Sequence, residues 1–214
     1  MFITFEGPDG AGKTTQIALL AERLETTGWK TVTTREPGGT PIGSLIRSLL
    51  LDSEDTVSAI TEAYLMTADR AEHVRQVIRP ALESEAVVIS DRYQDSTLAY
   101  QGGGRGLPIE ALRSLQTLAT GGLVPTLTVL LDLPVEAGLE RKFQDHAGNR
   151  LDRESVEFHH RVACAFRALA HAEPTRWRIV DATQTIQMVH TAVWLHVQAH
   201  LESNRAALVR DLNE

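Results

Sequence analysis

The chain has 214 residues, 43% apolar and 23% charged, with a net charge of −7 at neutral pH. That length and balance suit one globular domain with a sizeable core, and the acidic charge argues against a general nucleic-acid or anionic-membrane binder, which needs a basic surface. No apolar run approaches the ~20 residues that span a bilayer, no positively charged leader precedes the first strand, and the single Cys164 closes no intramolecular disulfide, so a cytoplasmic protein is expected.

In chain order, Phe2–Phe5 reads as a short strand and Thr15–Thr26 as a helix. Between them Gly7 to Thr14 spells GPDGAGKT, a G-x-x-x-x-G-K-[ST] phosphate loop in its strand–loop–helix context. Its glycines let backbone N–H groups point at phosphate oxygens, and the helix N-terminus adds partial positive charge. Gly7, Pro8, Asp9, Gly10, Ala11, Gly12, Lys13, Thr14 and Thr15 are therefore candidate nucleotide-binding residues. Lys13 is placed to reach the terminal phosphates, and the Thr14 hydroxyl to ligate Mg²⁺.

A second strand, Thr31–Thr34, leads into Arg35-Glu36-Pro37-Gly38-Gly39-Thr40. Helices Ile42–Leu51 and Ala59–Glu83 follow, carrying Arg47 and Arg70. Each arginine is either a substrate-side cation or a solvated helix charge. The third strand, Ala86–Ser90, delivers Asp91 and Arg92. Asp91 is placed to hold Mg²⁺ across from the phosphate loop; an N-capping carboxylate is the compatible alternative. Arg92 suits an acceptor phosphate, bound through its planar fork, or charge on the transferring phosphoryl group; a surface ion pair is the alternative. The stretch 101–106 (QGGGRG) reads as too glycine-rich for regular structure, and so as mobile.

Helix Ile109–Ala119, strand Leu127–Leu133 and helix Pro134–Phe143 come next. A charged stretch, about 144–153, reads as a mobile lid that can close over a triphosphate. Arg150 or Arg153 can arrive from it as an arginine finger, or remain a solvated charge. Helix Glu154–Ala172 holds Cys164 in an apolar setting that suggests burial. Strand Trp177–Val180, the loop Asp181-Ala182-Thr183-Gln184, helix Ile186–Leu201 and a polar tail complete the chain.

Strands alternating with helices imply a parallel sheet covered on both faces. The expected fold is a P-loop NTPase-type three-layer α/β/α domain spanning 1–214, with a five-stranded parallel sheet. Ligands then lie beyond the carboxyl ends of the strands. A guanine-nucleotide switch would carry an Asn-Lys-x-Asp motif, which the chain lacks.

The segments FEGPDGAGKTTQ, TREPGGTPIGSLIRSLLL, ADRAEHV, IRPALE, VVISDRYQDSTLAYQGGGRGL, LLDLP, NRLDRE and VDATQ resemble the bacterial thymidylate kinases, P-loop nucleoside monophosphate kinases, over nearly the whole length. The resemblance implies phosphorylation of dTMP to dTDP with ATP and Mg²⁺, for dTTP synthesis, by a homodimer that pairs through helices. It implies that Asp9 meets the deoxyribose 3′-hydroxyl, and that Glu36 and Arg47 line the acceptor site. Arg92 matches the residue on the acceptor phosphate, Arg70 the reader of thymine, and Thr97 and Gln101 further base contacts. Tyr100 matches the tyrosine that crowds a ribose 2′-hydroxyl. Arg141 and the Ala182-Thr183-Gln184 loop match adenine-side contacts. The phosphate loop has no arginine between Gly7 and Gly12. In this family such a loop goes with a lid arginine, for which Arg150 is the first candidate and Arg153 the second. One position departs: the family usually stacks Phe or Tyr on thymine four residues before the arginine matched by Arg70, and this chain has Met66 there.

Overall fold

The computed structural model describes residues 1–52, 56–145 and 148–211. Five strands, β1 (Phe2–Glu6), β2 (Thr31–Arg35), β3 (Val87–Asp91), β4 (Leu127–Asp132) and β5 (Trp177–Asp181), form one parallel sheet in the order β2-β3-β1-β4-β5. Each strand ends on a charged residue, so the polar groups expected just past the apolar runs line one edge of the sheet.

The apolar residues of β1, β3 and β4 point both ways. Ile3, Phe5, Val87, Ile89, Val129 and Leu131 join one core with α1 (Lys13–Thr26) and α9 (Ile186–Asp211). On α1, Ile17, Leu20 and Leu24 recur at helical spacing; each buried side chain contributes about 1.5–3 kcal/mol. On the opposite face, Phe2 and Val88 pack under the π-helical stretch Val74–Ile78, which continues α3 (Ala59–His73), and under α4 (Arg79–Glu83). Leu130 and Trp177 pack there under α6 (Ile109–Thr120) and α8 (Val156–Ala172). This is the expected three-layer arrangement. α9 continues past Leu201, which absorbs much of the polar tail into the helix.

Local caps set several helix starts. Thr40 Oγ1 accepts from Gly43 N at 2.9 Å ahead of Pro41 and α2 (Pro41–Leu51). Ser58 and Ser155 do the same for α3 and α8. Each such cap is worth about 1 kcal/mol.

Two expectations are corrected. The glycine-rich stretch is not an irregular loop: α5 (Gln94–Thr97) runs into a buried π-helical segment, Leu98–Gly104. Its glycines serve close packing, because a Cβ on Gly103 would stand 2.5 Å from Ala165 Cβ and one on Gly104 2.6 Å from Phe158 Cε2. Cys164 is exposed, since α8 turns Val162, Ala163 and Phe166 inward instead. Of the expected lid, Gln144 belongs to α7 (Val135–Asp145), while His146 and Ala147 lie outside the described residues.

Candidate active site

The phosphate loop bends back over the end of β1. Gly10 sits at φ 76°, and a Cβ there would lie 2.0 Å from the Gly138 carbonyl oxygen of α7, so only glycine lets the two backbones meet. Gly12, at φ 86°, begins α1 with no side-chain cap, which leaves the first helical N–H groups available to an anion. Lys13 folds across the loop and donates to Gly7 O at 3.2 Å and Pro8 O at 2.9 Å. Burial, reinforced by Arg92, pushes the Lys13 amine down to about 8 against the opposing pull of Asp91, Asp9 and Glu6.

Thr14 Oγ1 donates to Asp91 Oδ2 at 3.3 Å. α5 starts beyond Asp91, after Tyr93, so Asp91 is not its cap. Arg92 has left-handed backbone, φ 72°, uncommon for a residue with a Cβ. Its neighbours hold it there: Ser90 Oγ donates to Arg92 O at 2.7 Å, and Glu6 accepts from Tyr93 N at 2.8 Å and Ser96 Oγ at 2.6 Å. The Arg92 guanidinium donates to Gly7 O (3.1 Å), Ser96 Oγ (3.1 Å), Asp9 Oδ1 (2.9 Å) and the Tyr100 hydroxyl (3.1 Å). Tyr100 in turn donates to Asp9 Oδ2 at 2.7 Å. Burial works to raise the Asp9 carboxyl, but Arg92, Lys13 and the Tyr100 hydroxyl outweigh it and hold it below the usual range.

A cleft of about 1100 Å³ runs over residues Asp9 to Ile17, with Arg35, Asp91, Arg141, Ala182 and Gln184 on its walls. A second, narrower cavity of about 100 Å³ is walled by Met66, Arg70, Thr97, Tyr100 and Gln101, with Asn149, Leu151 and Asp152 over it. The two share Asp9, Glu36, Arg47, Arg92 and Lys142. Arg47 donates to Pro37 O at 3.0 Å. Arg70 is 1% exposed; Nε donates to Glu36 at 2.7 Å, Nη1 to Thr97 at 2.9 Å and to Gln116, and Nη2 to Tyr93 O at 3.0 Å. Glu36 also meets His73 Nδ1 at 2.8 Å.

Not every expected residue reaches these walls. Gly7 and Pro8 give their carbonyls to Lys13 and, for Gly7, to Arg92. Thr183 bonds back to Asp181 instead of facing the cleft. Arg150 and Arg153, expected at the phosphates, line neither cavity. Arg150 donates to Leu50 O at 2.9 Å and to the buried Glu62 carboxylate at 2.8 Å; a desolvated carboxylate holds a guanidinium more strongly than an open cleft does. Arg153 sits on an outer recess beside Leu51 and Asp52. Lys142 instead stands at the junction, 3.7 Å from Asp152. Sequence reasoning missed Lys142, Glu62, His73 and Gln116, and only the adjacency of Lys142 to Arg141 hinted at one of them.

A family model described as thymidylate kinase matches residues 5–193. A thymidylate kinase of Thermomicrobium roseum is 55% identical over 205 residues, covering 95% of this chain and 97% of its own. One from Desulfovibrio desulfuricans is 51% identical, covering 94% and 96%. The solved structure of thymidylate kinase from Ehrlichia chaffeensis superposes with a TM-score of 0.77 at 34% identity, covering 92% of this chain and 98% of that one. Sharing over half of its residues with such relatives along almost their whole length, the chain belongs to the thymidylate kinase family.

Proposed function

We propose that the protein transfers the γ-phosphoryl group of ATP to the 5′-phosphate of dTMP, giving dTDP and ADP. One observation carries this reading: a phosphate-loop cleft and a second, narrower cavity meet at Asp9, Arg47, Arg92 and Lys142. A donor in the cleft, with its adenine toward Arg141, Ala182 and Gln184, directs its terminal phosphate at that junction. An acceptor in the narrow cavity sets its base against Met66, Arg70, Thr97 and Gln101, its sugar by Asp9 and Tyr100, and its phosphate by Arg92. An acceptor phosphate oxygen forms the new bond to the γ-phosphorus as the bond to the β-phosphate oxygen breaks, and that electron pair leaves with ADP. The acceptor is already an anion, so no general base is required. Positioning and cationic stabilisation by Lys13, Arg47, Arg92 and Lys142 do the work. Residues 148–153 are the part of the expected lid this reading uses, supported by Asn149, Leu151 and Asp152 on the acceptor-cavity wall.

Thr14 and Asp91 offer two hard oxygens 3.3 Å apart on the cleft wall. That donor set fits Mg²⁺, which takes one or two protein oxygens and completes its shell with phosphates and water. When bound, the ion neutralises phosphate charge; chelating divalent cations should stop turnover.

An ADP-release assay with ATP and dTMP, dUMP, dCMP, dGMP or thymidine tests the reading. Preference for thymidine over dTMP would instead mark a deoxynucleoside kinase, which has no use for a phosphate-binding Arg92. Met66 packs beside Leu51 and Leu151 at the acceptor cavity, where a thioether gives less π overlap with a base than an aromatic ring. Met66→Phe should therefore lower the dTMP KM severalfold; an unchanged or higher KM would count against base stacking at this position.

Ile42, Leu45 and Leu49 on α2, with Ile60 and Tyr64 on α3, are exposed large apolar residues, an unusual surface for a monomer. We infer a homodimer through these helices, so sedimentation should return twice the chain mass and Leu45→Glu should reduce it. No helix among the described residues is long and apolar enough to cross a membrane. Cytoplasmic residence, where ATP is available, is the matching location, and cell fractionation tests it.

A further inference from the structure

Glu62 lines neither the cleft nor the acceptor cavity, yet it is a carboxylate with no exposed surface, in the first turn of α3. Its Oε1 accepts from Arg105 Nη2 at 2.9 Å and Arg150 Nη1 at 2.8 Å. Its Oε2 accepts from Arg105 Nε at 3.2 Å and Gln101 Nε2 at 3.1 Å. With two guanidinium groups on it, this side chain offers only acceptor oxygens. The Gln101 atom facing it must therefore be the amide nitrogen. Amide planarity then turns the Gln101 carbonyl oxygen away from Glu62, and Gln101 forms part of the acceptor-cavity wall. Arg70, its polar neighbour on that wall, is fixed by Glu36, Thr97, Gln116 and Tyr93. The polarity that Glu62 sets on that wall is that of Gln101.

We propose that Glu62 is a positioning residue that locks the Gln101 amide in one orientation and thereby selects the class of pyrimidine accepted. This rests on the reading of the cavity as a pyrimidine-nucleotide site. The locked amide presents an acceptor oxygen beside its remaining N–H donor. A lactam pyrimidine, thymine or uracil, presents the complementary pair, a ring N3–H beside a carbonyl. Cytosine presents the reverse, a bare N3 beside an amino group, and matches only a flipped amide. Flipping would set the Gln101 oxygen against the Glu62 oxygen now 3.1 Å from Nε2, two buried acceptors with no proton between them, an arrangement that costs the full desolvation of both. Glu62 thus acts against the wrong base rather than for the right one. Arg105 and Arg150 hold the carboxylate in place, so the segment carrying Arg150 is tied to the base-reading wall through the same four-bond cluster.

The test is Glu62→Gln, whose amide can donate to a flipped Gln101 and so permits both orientations. The ratio of kcat/KM for dTMP over dCMP should fall about tenfold or more, through a gain on dCMP carried mainly in KM. A ratio that stays put while both substrates slow together means that Glu62 only supports the fold, and overturns the proposal. If the parent protein does not turn over dTMP at all, the substrate reading fails and the proposal with it; normal dTMP turnover with an unmoved ratio sinks the proposal alone. Should the variant not fold, the parent protein still decides. In a ¹⁵N-glutamine sample, assigned with Gln101→Leu, the Gln101 side-chain proton bonded to Glu62 should exchange at least tenfold more slowly than those of exposed Gln187. Exchange of both Gln101 protons at the Gln187 rate would mean that Glu62 does not hold the amide, and would also overturn it.

Discussion

Replacing Lys13 by alanine should lower kcat by about 10³-fold while leaving the dTMP dissociation constant within a fewfold of the parent value. Lys13 lies on the donor cleft and not on the acceptor cavity wall, and its ammonium group is held by two loop carbonyls only 2.9 and 3.2 Å away. In the proposed mechanism, removing it takes a cation from the transferring phosphoryl group without touching the base or sugar contacts. Calorimetric titration with dTMP separates the two effects; loss of binding together with turnover would mean that the phosphate loop and the acceptor cavity do not divide the work as assigned. The same residue sets an alkaline limit. Its amine is pushed down to about 8 by burial and by Arg92, so above that pH the neutral form takes over in the free protein. The kcat/KM for ATP, which reports the free protein, should fall as pH rises through about 8, whereas kcat should hold to higher pH, because bound phosphates favour the charged amine. Burial, and Asp95 after it, push the nearby Glu6 carboxyl up to about 8 as well. Glu6→Gln is the control: the alkaline limb should survive it, and disappearance of the limb would move the assignment from Lys13 to Glu6.

The sheet was legible because it is built from apolar runs that end on charged residues, as Val87-Val88-Ile89 ends at Asp91. That Lys13, Thr14, Asp91 and Arg92 line one cleft was legible for the same reason: chain position fixes where residues beyond a strand end emerge. Most of what the sequence hid depends on contacts between elements distant along the chain. QGGGRG looks like a loop until α8 is known to lie against it, at a distance that only glycines allow. Arg150 looks like a free lid cation until Glu62, 88 positions earlier, is found buried beneath it. Thr183 looks like a strand-end contact, but Asp181 two residues back captures both its N–H and its hydroxyl. In the first two cases a distant partner's burial outweighed the local pattern; at Thr183 a short-range turn at the surface did.

Arg92 carries the second large effect, and two variants together separate its charge from its shape. Arg92→Gly removes the side chain but suits the backbone, since φ 72° is unstrained for glycine. Arg92→Lys keeps the charge but loses the planar fork that spans Gly7 O, Ser96, Asp9 and Tyr100. A single ammonium cannot reach all four positions and still face an acceptor phosphate. Both variants should lower kcat/KM for dTMP by about 10³-fold, the loss of a preorganised cation facing the acceptor phosphate in the proposed mechanism, with KM for dTMP raised and kcat lowered, while the KM for ATP changes little. The lysine variant should also suffer the backbone strain that glycine escapes, and so melt below Arg92→Gly. If Arg92→Lys keeps activity within tenfold of the parent, positive charge alone suffices at the junction of the two cavities, and the forked geometry that ties Asp9, Tyr100 and the phosphate loop together is not what aligns the acceptor.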